Sequence, residues 1–156
     1  MTVGNHDQPF DRLLMEMDAL AVRMPEKVVM QTGHSRYIPR NAEYHDFFPF
    51  AEAETLIQNA AAVVGHAGIG TVISCRKYGT PLIICPRRKA FSEHFNDHQL
   101  EICQELIIRP RPGVQVAVEP EAIAEQLERA LREPRPAPAD CAPELKKTLQ
   151  KYLASL

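Results

Sequence analysis

Two short, uninterrupted apolar runs constrain the fold of this chain more than any other feature. Residues 61–65 (AAVVG) and 81–85 (PLIIC) have the length and composition of strands buried on both faces, and a helical pattern follows each of them. Further strands are predicted at residues 27–33, 46–50 and 114–118. Strands that alternate with helices are typical of an α/β fold, here a Rossmann-like parallel sheet with helices on both faces.

Six helices are predicted around these strands. They cover residues 9–21, 51–60, 68–78, 96–106, 119–131 and 144–156. The first strand is irregular, because residues 2–3 form only a stub that is too short to cross a sheet of longer strands. Either this strand is trimmed at an edge of the sheet, or the start of the chain is incomplete.

The chain divides into one domain and a short tail. Its 156 residues are enough to build one hydrophobic core. We assign residues 1–132 to the α/β domain, 133–143 (EPRPAPADCAP) to a proline-rich linker and 144–156 to a closing helix. An apolar stripe on that helix packs either on this domain or on a partner. The stripe consists of Leu145, Leu149, Tyr152, Leu153 and Leu156.

Composition excludes several classes of function. The formal net charge of -2 gives no reason to expect a nucleic acid as the ligand. No apolar run reaches the roughly 20 residues of a membrane helix, and no signal peptide is recognisable, so we expect a cytoplasmic protein. Three of the four cysteines, Cys75, Cys85 and Cys103, fall in apolar stretches and are predicted to be buried free thiols.

The strongest functional signal is the glycine turn, residues 65–71 (GHAGIGT), between a buried strand and a helix. Glycines let the main chain approach a ligand closely, and the N–H groups of Gly68, Ile69, Gly70 and Thr71 would point toward an anion, which suits a diphosphate. The spacing G-x-x-G-x-G is not the dinucleotide-binding G-x-G-x-x-G, and Thr71 stands where a P-loop has its lysine. A tight turn that binds no ligand is the alternative.

A second group of polar residues follows the next strand. It consists of Arg87, Arg88, Glu93, His94, Asn96, Asp97, His98 and Gln99. Because loops at the carboxyl ends of neighbouring parallel strands share one edge, this group should face the glycine turn, and its carboxylates and amides suit sugar hydroxyls. The alternative is a solvated helix start capped by Asn96 or Asp97. His94 and His98 lack an obvious third metal ligand, so no metal site is predicted.

Five segments in order resemble the C-terminal, donor-binding half of glycosyltransferase family 28. They are residues 2–13 (TVGNHDQPFDRL), 47–50 (FFPF), 65–71 (GHAGIGT), 78–88 (YGTPLIICPRR) and 92–99 (SEHFNDHQ). The chain is most similar to short stand-alone members, namely bacterial exopolysaccharide glycosyltransferase subunits and the catalytic subunit of a eukaryotic UDP-GlcNAc transferase. The resemblance implies one half of a GT-B fold.

The resemblance also implies a substrate, a partner and a reaction. The substrate is a UDP-sugar, with no cofactor and no metal, and the partner is a membrane-associated acceptor-binding subunit through which the chain is peripheral to the membrane. The expected reaction is inverting transfer of a hexosyl group to a lipid-linked acceptor in polysaccharide synthesis. The alternatives are a non-catalytic nucleotide-sugar-binding or regulatory subunit and a nucleotide hydrolase that acts alone. Association into a homo-oligomer stays open.

By similarity to MurG-like donor halves, the site residues divide by the part of the donor that they meet. Gly4, Asn5 and His6, together with His66, Ala67, Gly68, Ile69, Gly70 and Thr71, flank the diphosphate. Apart from the resemblance, Arg87 or Arg88 is a candidate for adding positive charge to this site, and the alternative is an exposed basic pair at the surface. Phe48, Pro49 and Phe50 meet the uracil. Glu93, Asn96, Asp97 and Gln99 contact the sugar. Where MurG-like enzymes carry a glutamate for the ribose, this chain has Ser74. No catalytic residue is identified in this chain, because the base belongs to the other half.

Overall fold

The computed structural model describes residues 1–139. Its strands are β1 Val29–Gln31, β2 Glu43–His45, β3 Val63–His66, β4 Leu82–Cys85 and β5 Val114–Val116. Its helices are α1 Asp11–Ala21, α2 Phe50–Asn59, α3 Ile69–Tyr78, α4 His98–Ile108 and α5 Ile123–Arg132, with short 3-10 helices at Lys89–Phe91 and Pro120–Ala122. Strands and helices alternate along most of the chain, as the apolar runs predict.

All strands pair in parallel, and the stub at the N-terminus joins them. Strand β2 pairs with β1, and β3, β4 and β5 follow one another in the sheet. Thr2 forms parallel bridges to Gln31 on one side and to Gly65 on the other, with its N–H 2.9 Å from the carbonyl of Val64. The stub therefore lies at the centre of the sheet, and the first of the two alternatives, a strand trimmed at an edge, is wrong.

Helices cover both faces of the sheet, as expected for a Rossmann-like fold. Strand β4 shows this most clearly, because its side chains alternate between two separate cores. Ile83 and Cys85 pack with residues of α1 and α5. Leu82 and Ile84 pack with residues of α2, α3 and α4 on the opposite face. The four β4 side chains are almost completely buried, which explains their continuous apolar run.

One predicted strand is wrong. The run at residues 46–50 is not a strand, since β2 ends at His45 and Phe50 already begins α2. All three residues of β2 are exposed, so this edge strand has no apolar pattern that sequence reasoning could use. Pro49 precedes α2 with φ -53°, an angle that suits the start of a helix.

The described part of the proline-rich segment, residues 133–139, forms neither helix nor strand and packs on the domain. Arg135 donates hydrogen bonds of 2.9 Å each to the carbonyls of Gln58 and Gly79 and to the hydroxyl of Thr80. The N–H of Ala139 donates to the carbonyl of Arg76 at 2.9 Å. The domain boundary at residue 132 stays a prediction. Cys141, residues 140–143 and the closing helix at 144–156 lie outside the described residues.

Several kinds of reactive or membrane-spanning feature are absent from residues 1–139. Cys75, Cys85 and Cys103 are buried free thiols, as predicted, and burial raises the pKa of each to about 12. No group of three potential metal ligands occurs in this part of the chain. None of its helices is long and apolar enough to cross a membrane.

Candidate functional site

A cavity of about 710 Å³ opens at the carboxyl edge of the sheet, where the loops after several strands meet. At this edge it is lined by Gly4, Asn5, Phe48, Phe50, Glu54, His66, Gly70, Thr71 and Ser74. It then continues between β1 and β3 toward Met24 and Leu131. The structure thus brings together three of the predicted groups, which are the loop after Thr2, the aromatic residues before α2 and the glycine turn.

The glycine turn presents backbone donors to this cavity. Helix α3 begins at Ile69, and no side chain caps its N-terminus. The N–H of Gly68 donates to the carbonyl of His66 at 2.8 Å and is therefore used within the turn. Within residues 1–139, the N–H groups of Ile69, Gly70 and Thr71 contact no protein acceptor. Three donors, rather than the predicted four, remain for an anion at the positive end of the helix dipole.

The glycines of the site have different roles. A Cβ atom added to Gly70 would meet nothing within 4 Å, so the absence of a side chain there keeps the cavity open. A Cβ on Gly68 would lie 2.0 Å from Nε2 of His66, and one on Gly4 would lie 2.4 Å from its Cε1. Gly4 also has a φ of +72°, which favours glycine. Gly4 and Gly68 therefore make room for the imidazole of His66.

His66 is held neutral beneath the turn. Burial, followed by the nearby positive charge of Arg87, lowers the pKa of His66 to about 4. Its Nδ1 atom is buried and has no hydrogen-bond partner within the described part of the chain. A ring confined between two glycines and kept uncharged near pH 7 fixes the shape of the turn, and Ala67 packs into the core beside it.

Aromatic contacts join the loop after Thr2 to the β4–α4 loop, residues 86–97. The ring of His6 lies 4.7 Å from that of His94 and 5.5 Å from that of Phe95, measured between centroids. Burial lowers the pKa of His6, and the charges of His94 and Arg87 act in the same direction. His94 and Phe95 thus border the predicted diphosphate loop.

Arg87 is completely buried under the site. Its guanidinium donates to the carbonyls of Val3 and Gln8 at 2.8 Å, and to those of Pro9 and Glu93 at 3.2 and 3.1 Å. Burial lowers the pKa of Arg87 to about 10, so it remains charged at neutral pH. This side chain ties the loop after the central strand to the β4–α4 loop and presents no surface to a ligand.

Other polar side chains of this segment also make contacts inside the protein. Glu93 accepts hydrogen bonds from Arg12 Nε at 2.7 Å and from the Arg88 N–H at 2.9 Å. Gln99 accepts from the Arg87 N–H at 3.1 Å, and the Arg88 guanidinium pairs with Glu119. Asn96 and Asp97 are exposed near the start of α4. Direct donor contact by this segment stays a prediction, while the network itself is structural.

The predicted uracil contacts lie at the mouth of the cavity. Phe48 and Phe50 line it, and Pro49 stands between them. The Phe48 ring lies 4.9 Å from the His45 ring, which braces it against the end of β2. These residues provide a flat apolar wall next to the glycine turn, and contact with a base stays a prediction.

Sequence reasoning missed one residue of the site, Glu54. Its carboxylate accepts hydrogen bonds of 2.7 Å from the hydroxyl of Ser74, from Lys77 Nζ and from the hydroxyl of Tyr78. These contacts, led by Lys77, lower the pKa of Glu54 to about 2. Glu54 stands in an ordinary helical segment, and only the packing of α2 on α3 brings it to Ser74. The sequence around it carries no signal for this contact.

Comparisons with known proteins agree with this fold. No curated protein sequence matches the chain. Solved structures with the same fold include CalG4, the calicheamicin glycosyltransferase, at 24% identity and TM-score 0.55 over 85% of this chain and 33% of that one. The glycosyltransferase of kitacinnamycin matches at 17% identity and TM-score 0.60, over 85% of this chain and 34% of that one. The glycosyltransferase VinC, in complex with DTDP, matches at 21% identity and TM-score 0.56, over 86% of this chain and 33% of that one.

The chain therefore spans about a third of the length of these GT-B glycosyltransferases. A family model, the glycosyltransferase family 28 C-terminal domain, matches residues 2–153. That range includes every strand and helix described above and the cavity at the carboxyl edge. The chain belongs to glycosyltransferase family 28 and corresponds to its C-terminal domain.

Proposed function

We propose that this chain binds a UDP-sugar at the carboxyl edge of the sheet and is the donor-binding subunit of an inverting hexosyltransferase. The observation that carries the proposal is the glycine turn, where three N–H groups at the start of α3, unpaired within residues 1–139, border an open cavity. The diphosphate would lie on these donors. The family to which the chain belongs supports a nucleotide-sugar as the ligand.

The same donors would also assist the reaction. Negative charge builds up on the departing diphosphate as the bond to the sugar breaks. Fixed N–H dipoles of Ile69, Gly70 and Thr71 stabilise this charge more in the transition state than in the ground state, which lowers the barrier. His66, held neutral, contributes shape to this site rather than charge.

The acceptor half of the site would come from a membrane-associated partner that presents a lipid-linked acceptor for polysaccharide synthesis. Exposed apolar residues in the segments that follow the strands support this part of the proposal. Phe50, Ile69 and Phe95 are 80%, 72% and 72% exposed, and each lies after the carboxyl end of a strand. An apolar rim around a ligand site is a surface that a partner covers. The base that deprotonates the acceptor would belong to the partner.

Two measurements test the proposal. Calorimetric titration should show UDP binding to the purified chain that persists when a chelator removes divalent cations. Transfer from a UDP-sugar to a lipid acceptor should be absent with the chain alone and present after the partner is added, because the acceptor must be held near the anomeric carbon. Loss of UDP binding in chelator, or transfer by the chain alone, would contradict the proposal. Binding without transfer by the pair would favour a non-catalytic subunit.

A further inference from the structure

We propose that Glu54, together with Ser74, binds the ribose diol of the donor nucleotide and makes the site selective for ribonucleotides over 2′-deoxyribonucleotides. The inference rests on the proposed donor site and adds a recognition residue to it. The carboxylate of Glu54 comes from α2, whereas the backbone N–H groups proposed to bind the diphosphate belong to the start of α3. The two helices share the wall of one cavity, in which Glu54, Ser74, Gly70 and Thr71 all take part.

The distance along α3 is suitable for a nucleotide. Ser74 lies four residues after Gly70 on the same helix. A rise of about 1.5 Å per residue separates them by about 6 Å, one helical turn. In a nucleoside diphosphate a single ester linkage joins the phosphate to the ribose, so a phosphate on the glycine turn brings the ribose within reach of Ser74. The Ser74 hydroxyl is 2.7 Å from Oε1 of Glu54.

The carboxylate has acceptor capacity on the side of Ser74. Lys77 and Tyr78 both donate to Oε2, whereas Oε1 receives one hydrogen bond, from Ser74, among the described residues. A carboxylate oxygen accepts two hydrogen bonds, and a serine hydroxyl that donates one can still accept. The 2′-hydroxyl of the ribose can therefore donate to Oε1 of Glu54 while the 3′-hydroxyl donates to Ser74.

The contacts of Glu54 also prepare it for binding. Its side chain is only 13% exposed, and Lys77 and Tyr78 fix its orientation before a ligand arrives. A carboxylate already held in place loses little conformational freedom on binding. A purely structural role, as a clamp between α2 and α3, predicts the same contacts but no dependence on the 2′-hydroxyl. The two roles are therefore separated by comparing a ribonucleotide with its deoxy form.

The test measures affinities for UDP and for 2′-deoxy-UDP by calorimetry. The unaltered chain should bind UDP about tenfold more tightly than 2′-deoxy-UDP, as expected for a hydrogen bond to a charged acceptor. Glu54→Gln should weaken UDP binding and leave 2′-deoxy-UDP binding nearly unchanged, so that the preference shrinks. Ser74→Ala removes the contact with the 3′-hydroxyl, which both nucleotides carry, and should weaken the binding of both. Tyr78→Phe removes a partner of Oε2 only and should keep the preference, which makes it the matched control.

Each outcome has a distinct meaning. Equal affinity of the unaltered chain for the two nucleotides would overturn the inference while the proposed donor site stands. Loss of affinity for both nucleotides to the same extent in Glu54→Gln would also overturn it and would assign Glu54 to the clamp. Absence of binding by either nucleotide would overturn the proposed function and this inference together. Melting temperatures of all variants show whether the α2–α3 contact survives.

Discussion

The glycine turn and the β4–α4 loop lie at the same edge of the sheet, but their hydrogen-bonding groups differ in kind and in whether they already have partners. The turn has few polar side chains, and its backbone donors face an open cavity. The loop is rich in charged side chains, yet Arg87 and Glu93 are buried among partners inside the protein. Polar composition alone therefore does not identify a ligand surface. What decides is whether the hydrogen-bonding groups already have partners.

The most severe test of this contrast is the loss of Arg87. Arg87→Met should lower the free energy of unfolding by about 3–5 kcal/mol, since four carbonyls, among them that of the buried Glu93, would lose their donor. Urea denaturation measures this change. A variant that is fully stable but no longer binds UDP would make Arg87 a ligand contact and would remove the distinction between the two regions.

A side chain at Gly70 tests the turn without disturbing the fold. Gly70→Val should weaken UDP binding about a hundredfold, which corresponds to about 2.7 kcal/mol, because its methyl groups would enter the open space of the cavity. Gly70 is a better position than Gly68, where a side chain would first strike His66. Ile69→Ala is the control, since it keeps every backbone donor. Unchanged affinity in folded Gly70→Val would make the turn purely structural.

The buried imidazole under the turn predicts a dependence of stability on pH. The pKa of His66 is about 4 in the folded chain, below its ordinary value of 6.5, so the unfolded chain binds more protons between these values. Stability should therefore be complete above pH 6.5 and fall by about 3 kcal/mol as the pH drops to 4. His66→Asn should lose most of this dependence. Identical pH profiles for the two proteins would contradict the burial of a neutral ring.

Arg88 should give the smallest effect and sharpen the contrast with its neighbour. Its guanidinium pairs with the half-exposed Glu119 rather than with buried carbonyls. Arg88→Met should therefore cost about 1 kcal/mol or less in stability, as for a partly exposed ion pair. The difference between the stability losses of Arg87→Met and Arg88→Met, measured in one denaturation series, gives the contribution that burial makes to the effect of Arg87. A cost equal to that of Arg87→Met would extend the buried network to Arg88.

The strands of the fold could be predicted where burial produces a continuous apolar run in the sequence. The runs AAVVG and PLIIC cover most of β3 and all of β4, because both faces of those strands are covered by helices. Strand β2 escaped prediction because all its residues are exposed. The central position of Thr2 also escaped, since pairing to Gln31 and Gly65 leaves no local pattern. Apolar periodicity in the sequence indicates which residues are buried, but it does not indicate which strands are neighbours in the sheet.

The site shows the same limit at the level of single residues. The glycine turn was predictable because its chemistry lies in consecutive residues. The role of Arg87 was not, since its partners Val3, Gln8 and Pro9 are 78 to 84 positions away. Glu54 and Ser74 are likewise 20 positions apart and meet only through the packing of two helices. Contacts of this kind require the fold before they can be inferred.

The distance in sequence between Arg87 and the carbonyls that it binds has a consequence for how the protein assembles. A ribosome adds roughly 5–20 residues per second, so the loop that follows Thr2 waits several seconds before Arg87 emerges. Contacts between such distant residues also slow folding, because a long chain segment must close before they form. The loop after Thr2 is therefore synthesised well before the residue that fixes it. Premature termination before β4 would leave every element up to α3 without the residue that locks this edge in place.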